Sequence, residues 1–176
     1  AGAAAGRKNV VFLTLGTGVG GGFLIDGKLF NGDLLGGTEF GHTVVQVGGV
    51  RCTCGREGCL ESYASATGLI RMAREQMDKH PDSLLWKLCD GDKSKVNAEL
   101  AFKASDEKDE AGMLAVQEYM KYLAAGVANA INMFRPEVVV LGGGISNRGE
   151  KLAAELNEMV KGECFGHTFV KPAEVV

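Results

Sequence analysis

Charge of a single sign is scarce in this sequence. Lys and Arg number 19 against 22 Asp and Glu, a formal charge of −3 at pH 7. No basic stripe is available to neutralise phosphates or to grip an anionic bilayer, so neither a nucleic-acid-binding nor a membrane-surface protein is expected. Long hydrophobic runs are missing too: nothing approaches the ~20 apolar residues of a transmembrane helix. No secretory leader is legible, which places the five cysteines in an expected reducing, cytoplasmic compartment. Their odd number argues against a complete disulfide framework. No Gly-Lys-Ser/Thr follows a Gly-rich stretch, which excludes a P-loop, and no repeat of 20 to 50 residues is evident.

What is present is a compact, turn-rich composition, with 45% hydrophobic residues and 26 glycines in 176 residues. That length suits one α/β domain with a real core. The chain opens on AGAAAGRKN and closes on PAEVV, directly after an apolar stretch. Both edges read as cuts, so a piece of a longer protein is expected.

The most informative stretch runs from Glu39 to Glu61. It gathers His42, Cys52, Cys54 and Cys59 between two carboxylates. Zinc takes four thiolate or imidazole ligands in a tetrahedron, and Cys-x-Cys-x4-Cys with Gly55 and Gly58 lets three sulfurs face one point. Cys52 and Cys54 are too close in sequence for an unstrained bridge. Core thiols are not usually gathered in a polar loop with Arg51 and Arg56. A zinc knuckle is therefore expected, with His42 as fourth ligand on proximity alone, since a single histidine is also an ordinary packing or capping residue.

Residues 9–15 form a continuous apolar run expected as a buried strand. A second strand returns from it, with Asp26-Gly27 as a hairpin turn. Between them lie Gly16, Thr17, Gly18, Val19, Gly20, Gly21 and Gly22, whose backbone amides could hold phosphate oxygens, with a Thr17 hydroxyl beside them. A Gly-rich hairpin without a ligand is the alternative. Residues 31–41 read as a loop that delivers Glu39 and His42. Glu39 is suited to accept hydrogen bonds from hydroxyls, although an exposed glutamate is commonplace. Residues 43–47 alternate as a short strand.

A helix follows Cys59, with Leu60, Ala64, Leu69, Ile70 and Met72 inward, and ends at Pro81. Glu61 in its first turn either complements the helix dipole or lines a site at the knuckle. The region around Trp86 and Cys89 reads as a connector. A helical block spans 97–134, broken at the acidic run 106–110, which is read as a solvated junction. From Met113 on, Val116, Met120, Leu123, Val127, Ile131 and Phe134 recur at helical spacing. Residues 137–141 are a buried strand. Gly142, Gly143 and Gly144 then open a helix running to about 161, in the position where α/β proteins place ligands, or simply as a tight connection. Residues 168–170 read as a last strand. His80, His167 and Cys164 receive no role.

LTLGTGVGGG, EFGH, CTCGREGCLESYASATG and LGGGIS, in this order, resemble the ROK family of bacterial sugar kinases and repressors, over nearly the whole chain. Within it the likeness is strongest to glucokinases of Gram-positive bacteria. The resemblance implies an actin-like ATPase (ribonuclease H-like) domain, a mixed sheet flanked by helices with the knuckle inserted. Residues 1–176 would be the larger C-terminal domain, without the N-terminal domain and the final helix. It further implies that Gly16, Thr17, Gly18, Gly20 and Gly21 meet ATP phosphates and that Gly142 to Gly144 lie by the adenosine. Glu39, His42 and Glu61 would bind sugar hydroxyls, with His42 also on zinc. Magnesium accompanies ATP, although no carboxylate cluster here is seen to hold it. The family's general-base aspartate precedes the first Gly-rich strand and has no counterpart in this chain, so the isolated chain is expected to be inactive. The implied reaction is ATP-dependent phosphorylation of glucose at the 6-hydroxyl, with N-acetylmannosamine, mannose or fructose as other sugars and a repressor's sensor domain as the other class. A homodimer is expected.

Overall fold

The structure, a computed structural model, describes residues 2–33, 37–165 and 174–176. Among these residues five strands form one mixed sheet: β1 (Val10–Leu15), β2 (Val19–Ile25), β3 (Lys28–Leu29), β4 (Val138–Gly142) and β5 (Glu174–Val175), in the order β3-β2-β1-β4-β5. β2 runs antiparallel to β1, while β4 runs parallel to β1 and to β5. The expected Asp26-Gly27 turn joins β2 to β3, with φ of 51° and 75° as a two-residue hairpin requires. Residues 168–170, read above as a strand, and His167 lie outside the described residues.

Burial alternates along β1. Val11, Leu13 and Leu15 are at most 1% exposed, whereas Phe12 is 40% exposed and Thr14 is exposed too. The apolar run thus belongs to a strand covered on one face among the described residues, not on both. Phe23, paired with Val11, shares the covered face, and its ring lies 4.3 Å from that of Phe134. This places the long helix α5 (Glu110–Phe134) under the sheet.

The helix expected after Cys59 is broken. α1 (Glu61–Ala64) ends at Ser65, whose extended backbone and side chain cap α2 (Ala66–Lys79) by accepting from the Gly68 amide at 3.0 Å. Leu60, Ala64, Leu69 and Met72 are fully buried as expected, while Ile70 is only half-buried. The connector around Trp86 contains the short helix α3 (Leu84–Leu88), and the Trp86 indole donates to the Met77 carbonyl at 3.3 Å. The helical block divides where the acidic run sits, into α4 (Ala98–Asp106) and α5. That run is not simply solvated: Asp109 caps α5 and also accepts from the Ser83 hydroxyl and the Leu84 amide, each at 2.8 Å.

Residues 43–47 do not form a strand. Only Val44 makes a bridge, to Cys59, because the amides of Val45 and Gln46 both turn to the Gly58 carbonyl. After β4, the helix expected from Gly142 is interrupted as well: a 3-10 turn (Gly144–Arg148) comes first, Gly149 at φ 61° redirects the chain, and α6 (Glu150–Glu163) begins there. No described helix is long and apolar enough to cross a membrane.

Candidate active site

The knuckle is a loop stapled by its own backbone. The Cys52 amide donates to the Arg56 carbonyl at 2.7 Å, Gly55 to Cys52 at 3.0 Å and Gly58 to Val50 at 2.8 Å. Gly58 sits at φ 78° with its Cα against the Gln46 carbonyl, so a side chain there is excluded both by conformation and by space. Tyr63 ties the loop to the helices: its hydroxyl accepts from the Val50 amide at 2.7 Å, and its ring lies 4.1 Å from that of Tyr122 on α5.

This loop brings together all four sequence-nominated ligands. One donor atom each from His42, Cys52, Cys54 and Cys59 lies within 4.8 Å of the others, with Cys52 and Cys59 buried and Cys54 exposed. His42 presents Nδ1 to Cys52 Sγ at 3.6 Å, while its Nε2 lies 3.8 Å from Glu39 Oε2. Burial acts to raise the Cys52 thiol, but hydrogen bonds from the Cys54 amide and thiol and from His42 outweigh it and bring it to about 6. Burial and the Cys54 and Cys52 thiols push Cys59 up to about 12. Opposed shifts are what crowded thiols produce, since ionising one disfavours ionising the next. A divalent cation at their centre would relieve that conflict, and this donor set suits one.

Glu61 links the knuckle to the first Gly-rich turn. Its Oε2 accepts from the Val19 amide at 3.1 Å, and its Oε1 lies 3.8 Å from Cys52 Sγ. Glu39, His42, Cys52 and Glu61 therefore form a continuous row. Gly18 makes this possible: a Cβ there would overlap Glu61 Oε2 and sit 3.1 Å from the carboxyl carbon. The start of α2 closes the turn from the other side, the Ala66 amide donating to Gly16 at 2.8 Å and the Thr67 hydroxyl to Thr17 at 2.9 Å. A cavity of about 470 Å³ opens here, lined by Thr17, Gly18, Cys52, Glu61, Thr67 and Arg71 among others. Glu39 and His42 do not line it and stand beyond Cys52. Gly20 and Gly21, grouped above with the phosphate turn, are instead within β2, paired with Thr14 and Leu13. The turn proper is Gly16, Thr17 and Gly18.

A second cavity, of about 630 Å³, lies across the first turn of α2: Ala66 lines this one and Thr67 the other. Its walls are Gly144, Ile145 and Arg148 from the 3-10 turn, Ile70 from α2 and Phe102 from α4. Of the three glycines named there, only Gly144 reaches it. Gly142 faces the Phe12 ring, and Gly143, at φ 85°, is pressed on the backbone of Leu15. The Arg148 guanidinium lies 4.5 Å from the Phe102 ring centre and donates to both Asp106 oxygens, at 2.6 and 3.0 Å, with Lys151 on the same carboxylate. These donors hold the Asp106 carboxyl well below the usual range. Sequence reasoning missed Thr67, Phe102, Asp106 and Arg148. The hydroxyl residues of Ser-Ala-Thr at a helix start were a legible signal for Thr67; the other three meet only through tertiary packing.

The family model described as "ROK family" matches residues 1–176. A glucokinase of Thermotoga maritima is 43% identical over 159 residues, covering 90% of this chain and 50% of its own length. A xylose repressor of Caldicellulosiruptor bescii is 30% identical over 160 residues, 90% of this chain and 39% of its own length. Among solved structures, a ROK family glucokinase from Streptomyces griseus in complex with glucose and AMPPNP superposes with a TM-score of 0.92 at 32% identity, over 99% of this chain and 57% of that one. The chain spans about half the length of the curated relatives it matches.

Proposed function

From the premise that this chain belongs to the ROK family and has its actin-like fold, we propose that residues 1–176 are the larger domain of a kinase that phosphorylates glucose at the 6-hydroxyl with ATP. The observation that carries this reading is the Glu61 carboxylate, held on the Val19 amide of the glycine turn while lying against Cys52. A sugar-binding carboxylate and a phosphate-binding turn thereby share one wall. Glu39, His42 and Glu61 accept from and orient sugar hydroxyls, a role supported by their succession along the knuckle.

Zinc is held by His42 through Nδ1 and by Cys52, Cys54 and Cys59, which leaves Nε2 toward Glu39 and the sugar. The metal's contribution is structural: it sets the tautomer and direction of the imidazole. The ATP phosphates lie at Gly16, Thr17 and Gly18, where the 14-residue helix α2 also begins. Gly20 and Gly21 support this turn from β2. The adenosine occupies the second cavity beside Gly144, to which Gly142 and Gly143 lead the chain from β4, and magnesium accompanies the phosphates. The aspartate base resides in a part of the whole protein beyond these residues, so this chain binds and orients without taking the hydroxyl proton. The kinase is proposed to be a cytoplasmic homodimer.

The likeness to a xylose repressor supports a second reading, the sensor domain of a repressor. Calorimetric titration of the full-length protein with glucose, N-acetylmannosamine, mannose and fructose, with and without a nonhydrolysable ATP analogue, separates the two. The kinase reading expects glucose to bind, the nucleotide to bind, and both affinities to couple. Sugar binding with no nucleotide binding would establish the repressor reading instead. Equal glucose affinity in Glu39→Ala, Glu61→Ala and the unmodified protein would sink the site assignment, and glucose phosphorylation by residues 1–176 alone would refute the division of labour.

A further inference from the structure

The three knuckle thiols are not equivalent. Cys89 and Cys164 are buried away from the loop, at 1% and 4% exposure, and Cys52 and Cys59 are buried within it. Cys54 is the exposed one among the five. Its Sγ stands 3.7 Å from that of Cys59. The four residues between them include Gly55 and Gly58, both at positive φ, and the exposed Arg56 and Glu57. A disulfide needs the sulfurs to close from 3.7 Å to about 2.05 Å.

Cys52 is the poorer partner. It is one residue from Cys54, and its sulfur is committed to His42 Nδ1 at 3.6 Å and Glu61 Oε1 at 3.8 Å. Cys59 Sγ instead approaches the His42 carbonyl at 3.6 Å, the oxygen to which the Arg56 guanidinium donates at 3.3 Å. An exposed sulfur beside a buried one, in a loop carrying Arg51 and Arg56, is the kind of environment in which cysteine oxidation is site-selective.

We propose that Cys54 and Cys59 are a peroxide-oxidised pair, and that joining them opens the metal cluster and releases His42 from its set orientation. The proposal rests on the zinc and sugar assignments above. The Cys54 sulfur attacks one oxygen of hydrogen peroxide, the O–O bond breaks and the departing hydroxide becomes water, leaving a sulfenic acid. Cys59 then attacks that sulfur, the S–S bond forms, the S–O bond breaks and a second hydroxide becomes water. Two electrons leave the two sulfurs and reduce one peroxide to two waters. The cation keeps its charge and loses two of its four ligands, and a dithiol reductant reverses the change. With Cys52 and His42 alone remaining, the cluster no longer holds the metal, and the row from Glu39 to Glu61 loses its brace.

The test treats the zinc-loaded full-length protein with hydrogen peroxide and reads three quantities: zinc captured by a chromogenic chelator, disulfides mapped by peptide mass spectrometry, and glucose affinity by calorimetry. Release of zinc in step with a Cys54–Cys59 bridge is expected, with Cys89 and Cys164 remaining thiols. Glucose affinity should fall about 10- to 100-fold and return after a dithiol and zinc are supplied. Cys54→His keeps a ligand at that position and should retain zinc under peroxide, while Cys164→Ser should respond as the unmodified protein does. If Cys54→His does not load zinc, the mapping on unmodified protein still decides. Zinc retained under oxidation, or released with the bridge elsewhere, overturns the proposal while leaving the metal and sugar readings intact. Tight glucose binding by protein that never contained zinc overturns the metal reading and this proposal with it.

Discussion

Gly18→Ala isolates the coupling between the glycine turn and the proposed sugar site. The added methyl would overlap Glu61 Oε2 and sit 3.1 Å from its carboxyl carbon. What it meets is the far end of a flexible side chain, so the fold can yield by swinging the carboxylate away. The expected change in unfolding free energy is therefore small, within about 0.5 kcal/mol. The site does not escape so easily. The carboxylate must leave the Val19 amide, 3.1 Å from Oε2, and with it the position from which it would accept from a sugar hydroxyl, a charged hydrogen bond that contributes about 1.5–3 kcal/mol. If that geometry is what sugar hydroxyls read, glucose affinity falls by about 10- to 100-fold, at ~1.4 kcal/mol per decade. Calorimetry on the full-length protein measures the affinity, and urea unfolding the stability. Glu61→Gln and the double substitution complete a cycle: because Gly18 acts through Glu61, the double variant should bind no more weakly than Glu61→Gln alone. Additive losses, or a Gly18→Ala affinity within about twofold of the unmodified protein, would refute the reasoning.

Other substitutions probe the frame around the site. Gly126 on α5 faces the fully buried Leu60, whose methyls lie 2.6 and 2.7 Å from where a Cβ would stand. Gly126→Ala should destabilise by about 1–3 kcal/mol in urea unfolding and disturb the entry to Glu61. The Tyr119 hydroxyl is buried with no partner among the described residues, and burial pushes its pKa up. Tyr119→Phe should thus be neutral or stabilising, by up to about 1–2 kcal/mol, in the same assay. Asp106 has its folded pKa depressed first by the Arg148 hydrogen bonds, then by Lys151. Its contribution is fully present above the unfolded value near ~4 and is lost as pH falls from there through the folded value. Because its side chain is 38% exposed, Asp106→Asn should cost only about 1 kcal/mol at pH 7. That difference should shrink progressively as pH falls below ~4 in pH-dependent unfolding. Stripping zinc with a chelator should weaken glucose binding and lower the thermal midpoint, whereas an unchanged midpoint and affinity would speak against the structural metal.

Much of the scaffold was legible because it depends on local rules. Asp26-Gly27 announces its turn by tolerating positive φ, and Val116 through Phe134 announce α5 by their period. The errors share a cause in competition from elsewhere in the chain. Residues 43–47 alternate as a strand would, but the Gly58 carbonyl captures the amides of Val45 and Gln46. The helix after Cys59 reads as continuous, yet Ser65 breaks it, and Ala66 and Thr67 bond to the glycine turn. Phe12 belongs to an apolar run, but which face of a sheet is covered depends on where the helices dock.

By itself the sequence determined the Cys/His cluster of the knuckle. Cys52, Cys54, Cys59 and His42 are set by residue type and short spacing, which a tight glycine loop converts directly into proximity. It also determined that Glu39 and Glu61 flank that loop. Only the tertiary structure decided that Glu61 rests on Val19, 42 residues away, that Gly20 and Gly21 belong to β2, and that Asp106 fixes Arg148 over Phe102 beside Gly144. Those relations join segments distant in the chain, and the packing of sheet on helices sets them, not any local preference.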